Sequence, residues 1–126
     1  MRPLDVLVAD DEKGIRDLLK DALTRQGHSV TCASNGVEAL AQVAARDLDT
    51  VFLDIRMPNG DGLTVLREIK AMRPGLPVVM ITGCGDQVVK GEALSGGCCA
   101  CLIKPFSTRD VLGMLDVVES LLDEAA

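Results

Sequence analysis

Apolar residues in this chain alternate between two patterns. Short continuous runs such as Val6-Leu7-Val8, Val51-Phe52-Leu53 and Val78-Val79-Met80-Ile81 have the length and β-branched content of strands buried on both faces. Between them, apolar residues recur three and four positions apart, as on one face of a helix. The pattern predicts a first strand over residues 4–9. A first helix follows with Ile15, Leu18, Leu19, Ala22 and Leu23 inward, and Gly27 stops it. A short second strand covers 30–33. Asn35-x-x-Glu38 then has the form of an N-cap with its reciprocal acid, opening a helix with Val37, Leu40, Ala41 and Ala44 on its stripe.

The third strand, residues 50–53, runs straight into Asp54, and Pro58-Asn59-Gly60-Asp61-Gly62 then breaks the chain into a turn. A third helix starts near Asp61 with Leu63, Leu66 and Ile69 inward and ends before Pro74-Gly75. The fourth strand covers 77–82. Residues 86–94 form a weaker helix, with Gly91 inside it and Ser95-Gly96-Gly97 at its end. A fifth strand covers 99–103 and stops at Lys104-Pro105. Ser107-x-x-Asp110 is a capping box for a last helix that buries Val111, Leu115, Val118 and Leu122. Five strands alternating with five helices imply an α/β fold, a parallel sheet covered on both faces. No repeat or linker divides it, so we expect one domain over residues 1–126 with no effector domain.

Composition narrows the possibilities. Apolar residues make up 48% of 126 positions, yet Phe52 and Phe106 are the only aromatics, so the core must be aliphatic. A net charge of −6 argues against a nucleic-acid surface, which needs a clustered basic face. No stretch approaches the roughly 18 apolar residues of a membrane span, and the N-terminus lacks a signal peptide's features. A cytoplasmic protein is expected. The five cysteines, Cys32, Cys84, Cys98, Cys99 and Cys101, are expected as reduced thiols.

The chemistry is in the strand ends. The first strand ends in Asp10-Asp11-Glu12, the third in Asp54, the fourth in Thr82 and the fifth at Lys104. In a parallel sheet these ends share one edge, where open α/β sheets collect their ligands. Asp54 alone could be a strand or turn cap; four strand ends turning polar together have no such explanation. Asp10, Asp11 and Asp54 facing one lysine leave excess negative charge, which suits a hard divalent cation such as Mg²⁺. A cation would let a phosphoryl group approach Asp54, with Lys104 and Thr82 meeting its oxygens.

These residues, with Leu53-Asp54-Ile55-Arg56-Met57-Pro58, Asp61-Gly62, Thr82-Gly83 and Lys104-Pro105-Phe106, resemble the receiver domain of two-component response regulators over essentially the whole chain. The resemblance implies the flavodoxin-like (βα)5 doubly wound fold with strand order 2-1-3-4-5. It implies that Asp54 is the phosphoacceptor, taking a phosphoryl group from a histidine kinase, a phosphotransfer protein or acetyl phosphate. Asp11 and Asp54 would hold Mg²⁺ with the Arg56 carbonyl, and Asp10 would act mostly through water. Lys104 would hold a phosphoryl oxygen while Thr82 swings in, repacking the loop after the fourth strand. It also implies a cis peptide before Pro105. Such a protein is not an enzyme beyond its own phosphorylation and autodephosphorylation. It acts by protein contact through the helix four–strand five–helix five face, as a monomer or weak phosphorylation-dependent dimer, with no nucleic acid or membrane partner.

Two positions depart from or vary within the family. Cys101 stands three residues before Lys104, where the family usually has Tyr or Phe, and Arg56 occupies a variable position that tunes phosphoryl lifetime. Gly83-Cys84-Gly85 suggests an open, flexible route to the site. Other readings fare worse. On a regular strand Cys99 and Cys101 face one side and Cys98 the other, so the three cannot share a zinc ion; a redox role for Cys84 or Cys101 stays as a weaker idea. Gly83-x-Gly85 lacks the third glycine of a dinucleotide loop, because Val88 stands there. A phospho-aspartate phosphatase needs an acid where Arg56 stands. The remaining alternative is a receiver-like scaffold that binds partners without being phosphorylated.

Overall fold

The computed structural model describes residues 2–57, 60–83 and 87–125. In chain order the elements are β1 (Asp5–Ala9), α1 (Lys13–Arg25), β2 (Ser29–Ala33), α2 (Gly36–Ala45), β3 (Thr50–Asp54), a two-residue pair β4 (Arg56–Met57) and β5 (Gly60–Asp61), α3 (Gly62–Met72), β6 (Val78–Gly83), α4 (Gln87–Ser95), β7 (Ala100–Lys104) and α5 (Thr108–Ala125). The five long strands form one parallel sheet in the order β2-β1-β3-β6-β7, which is 2-1-3-4-5 when those strands are counted along the chain. β4 and β5 form a small antiparallel ladder between β3 and α3.

Alternate strand residues supply two aliphatic layers. Leu7, Val51, Leu53, Val78 and Met80 pack under α2 and α3 with Ala93 of α4, whereas Val6, Val8, Phe52, Val79 and Ile81 pack under α1 and α5. β1, β3 and β6 are covered on both faces, as their uninterrupted apolar runs require. No helix among the described residues is long and apolar enough to cross a membrane.

Local signals placed most helix ends. Gly27, at φ 90°, ends α1. The Asn35 side chain accepts the Glu38 N–H at 2.9 Å, while Glu38 reaches back one residue further than expected, to the Ser34 N–H at 3.0 Å. Ser107 and Asp110 form both bonds of the capping box, at 3.3 and 2.9 Å. The Lys104–Pro105 peptide is cis.

One face differs from expectation. The buried stripe of α2 is Gly36, Ala39 and Val43 with Leu40 partly covered, whereas Val37 is exposed and Ala41 and Ala44 point outward. Small residues let this helix lie close on the sheet, so close approach rather than side-chain size selects its inward face.

Candidate functional site

At the C-terminal edge of the sheet, a cleft of about 420 Å³ opens between the ends of β1, β3, β6 and β7, lined by Asp11, Glu12, Asp54, Ile55, Arg56, Thr82, Gly83 and Lys104. Parallel pairing sets this edge: Ala9 lies opposite Leu53, Asp54 opposite Ile81, and Gly83 opposite Lys104. Residues far apart in the chain therefore end at one level.

Asp54 is 4% exposed. Its Oδ1 accepts the Arg56 N–H at 3.2 Å, and its Oδ2 lies 3.6 Å from Lys104 Nζ. Burial, then the nearby acids Asp10 and Asp11, push its pKa up to about 6, against the pull of the Arg56 N–H and Lys104. Asp10 lies behind the cleft wall, fully buried. Its Oδ1 accepts the Glu12 N–H at 2.9 Å, but its Oδ2 has no hydrogen-bond donor and only a longer ion pair to Lys104 at 3.4 Å. Burial raises this carboxyl too, despite that N–H and Lys104.

Lys104 stands among the acids, with Asp10, Asp54 and Glu12 Oε1 (3.0 Å) all within ion-pair distance. Burial works against its charge, but Glu12, Asp54 and Asp10 outweigh that and raise its pKa. Thr82 is buried, and its hydroxyl makes only a long 3.4 Å contact to the Gly83 carbonyl, so it can turn toward another acceptor at little cost.

α3 supports the site from below. The Gly62 N–H donates to the Ile55 carbonyl at 2.8 Å, and Asp61 caps the helix through the Leu63 N–H at 3.1 Å. A Cβ on Gly62 would sit 2.5 Å from Ile55 Cα and collide with the Asp54 carbonyl. Only glycine lets the helix start this close beneath Asp54.

The expected site residues Asp10, Asp11, Asp54, Arg56, Thr82 and Lys104 thus converge on one cleft or its wall. Ligand oxygens of Asp10, Asp11 and Glu12 lie within 4.8 Å of one another, and Asp54 shares Lys104 with Asp10 and Glu12. Glu12 joins the site although the sequence pattern does not single it out. Its place in the acidic run was visible, but its partner lies 92 residues away. An all-oxygen donor set, a buried carboxylate oxygen without a donor, and four carboxylates around one ammonium fit a hard divalent cation. Pro58, Asn59, Cys84, Gly85 and Asp86, including the proposed flexible route and the Cys84 thiol, lie outside the described residues.

The cysteines are arranged differently from a regular strand. Cys98 and Cys101 belong to the layer beneath α2, α3 and α4, and Cys99 to the opposite one. β7 begins only at Ala100 and the chain bends at Cys99, so the strand's alternation does not extend back to Cys98.

Comparison with known proteins gives one answer. The profile of the family described as "Response regulator receiver domain" matches residues 6–116. "Transcriptional regulatory protein ResD" of Bacillus subtilis is 36% identical over 107 residues, 85% of this chain and 44% of that protein. The crystal structure of NtrX from Brucella abortus superimposes with a TM-score of 0.92 at 37% identity, over 98% of this chain and 28% of that one. A CheY-like receiver domain protein from Methanospirillum hungatei gives 0.91 at 27% identity, over 98% and 99%. The chain spans less than half the length of the curated relative ResD.

Proposed function

Because this chain belongs to the response regulator receiver domain family, we propose that Asp54 accepts a phosphoryl group and that the modification changes which proteins the domain binds. The observation that carries the reading is the Asp54 carboxylate in a cleft it shares with Lys104 and Thr82. An Asp54 oxygen attacks the phosphorus of a kinase's phosphohistidine or of acetyl phosphate. An acyl phosphate forms as the P–N or P–O bond to the donor breaks, and the donor's imidazole or acetate leaves with that bond's electron pair. Near neutral pH a group with a pKa of about 6 is mostly ionised, and so nucleophilic.

Asp11, Asp54 and the Arg56 carbonyl would hold Mg²⁺, with Asp10 and Glu12 beside them, and the ion would supply charge neutralisation between the carboxylates and the incoming phosphoryl oxygens. Lys104 leaves its carboxylate partners for a phosphoryl oxygen. Thr82, weakly held, turns to donate to another. Both movements pull on β6 and β7 and hence on α4. Leu94 on α4, Ile103 on β7, and Val117 and Leu121 on α5 are exposed apolar side chains, which suits a contact face for a protein partner. The net charge of −6 makes nucleic acid a poor partner for the domain itself. A cytoplasmic location, where kinases draw on ATP, follows from this reading.

The test is intact mass after incubation with acetyl phosphate and Mg²⁺, for the wild type and Asp54→Asn. A phosphoryl mass gain in the wild type, absent in the variant and with chelator, is expected. No gain, with Mg²⁺ binding confirmed calorimetrically, would instead support the unphosphorylated scaffold.

A further inference from the structure

Cys98 and Cys101 are separated by two residues yet lie on the same face of the sheet. Gly97, at φ 103°, and the bend at Cys99 turn the chain where it leaves α4. The turned segment is held at both sides: the Cys98 N–H donates to the Ala93 carbonyl of α4 at 3.2 Å, and the Cys99 N–H to the Val78 carbonyl of β6 at 2.9 Å. Cys98 is buried in the layer beneath α2, α3 and α4, and Cys101 packs against the same layer from β7, opposite Met80. The Cys101 thiol is near enough to help raise the Cys98 pKa, whereas Cys99 packs against the layer under α1 and α5.

We propose that Cys98 and Cys101 form a reversible dithiol–disulfide pair that tethers the end of α4 to β7 and thereby restrains the receiver's switch. The oxidant is a small-molecule disulfide of the glutathione class. Cys101 is partly exposed and is the entry thiol. Its thiolate attacks one sulfur of that disulfide, breaking the S–S bond and releasing one thiol. Cys98 then attacks the Cys101 sulfur of the mixed disulfide and displaces the second thiol. One S–S bond breaks and one forms, and two protons and two electrons pass from the protein to the small disulfide. Burial, followed by the neighbouring Cys101 thiol, holds the Cys98 pKa up at about 12, so Cys98 is a poor first nucleophile and Cys101 attacks first. The Cys101 contribution disappears once that thiol is in the mixed disulfide, and Cys98 then attacks intramolecularly.

The position gives the bond leverage. Among residues 90–95 of α4 only Ala93 is buried, so this part of the helix has few packed side chains to resist movement. Cys101 lies opposite Met80, two residues before Thr82, and three residues before Lys104. A covalent link at that point would restrict the corner that phosphorylation must repack. This regulatory part rests on the receiver reading above; the bond itself does not.

The experiment equilibrates the full chain in reduced and oxidised glutathione buffers, traps free thiols by alkylation, and maps linkages by mass spectrometry. Oxidised protein should lose two hydrogens and the alkyl groups on Cys98 and Cys101, with Cys99 still alkylated. The link should persist in Cys99→Ala and vanish in Cys101→Ala. No link, or one that includes Cys99, overturns the proposal. Amide exchange over residues 90–97 should slow on oxidation. Phosphoryl gain from acetyl phosphate should fall about fivefold or more, a modest coupling between linked sites. A link that changes neither overturns the regulatory part. A link in protein that takes no phosphoryl group in either state supports the thiol pair and counts against the receiver reading instead.

Discussion

Replacing Asp54 by Asn should make the metal-free protein more stable at neutral pH. The wild-type carboxyl titrates near 6 rather than 3.8, chiefly through burial and then through Asp10 and Asp11. A folded-state pKa above the unfolded one means that the fold favours the protonated acid. That contribution is complete below pH 3.8, fades as pH rises toward 6, and above 6 the ionised group is held at full cost. A shift of about two units is worth about 3 kcal/mol. The side chain is only 6% exposed, so solvent screening removes little of this. Asn avoids this cost, and because the raised pKa already counts the pull of Lys104, the net gain is roughly 3 kcal/mol. For a domain of this size that is roughly 9–15 °C in Tm. With no Trp or Tyr in the chain, melting is best followed by far-UV circular dichroism, in chelator, between pH 4 and 8. The variant should melt higher at pH 7.5, the difference should close by pH 4, and Mg²⁺ should narrow it by stabilising the wild type. Equal melting at pH 7.5, or a gap that does not depend on pH, would refute the reasoning.

Three other substitutions test separate parts of the site. Gly62→Ala drives a Cβ into the Asp54–Ile55 backbone and should cost at least about 3 kcal/mol in a urea melt; a loss under 1 kcal/mol would show that α3 is not seated as described. Thr82→Ala removes only a long hydroxyl contact, so stability should change by less than about 1 kcal/mol. Acetyl phosphate should still add a phosphoryl group to it, while the change in amide exchange over residues 90–97 on phosphorylation disappears. Lys104→Met leaves the acids without their cation. Calorimetry should find Mg²⁺ bound roughly fivefold more tightly, as expected from about 1 kcal/mol of lost repulsion, and unchanged affinity would place the ion away from the lysine.

Much of this molecule could be read from local pattern. Uninterrupted apolar runs marked the covered strands, Asn35 and Ser107 announced their helices, and Gly27 ended α1, because each signal acts within one turn or a few residues. The polar strand ends Asp10, Asp54, Thr82 and Lys104 were legible for the same reason, since parallel pairing obliges them to share an edge. Only the tertiary structure decided what depends on packing between elements. It turned Ala39 and Val43 of α2 inward instead of Val37, placed Gly62 against the Asp54 backbone, and bent the chain so that Cys98 joins Cys101 rather than opposing it. It also brought Glu12 to Lys104 across 92 residues. Which acid a half-buried lysine pairs with is a competition among all the charges that the fold brings within a few ångströms, and no local pattern in the chain records its outcome.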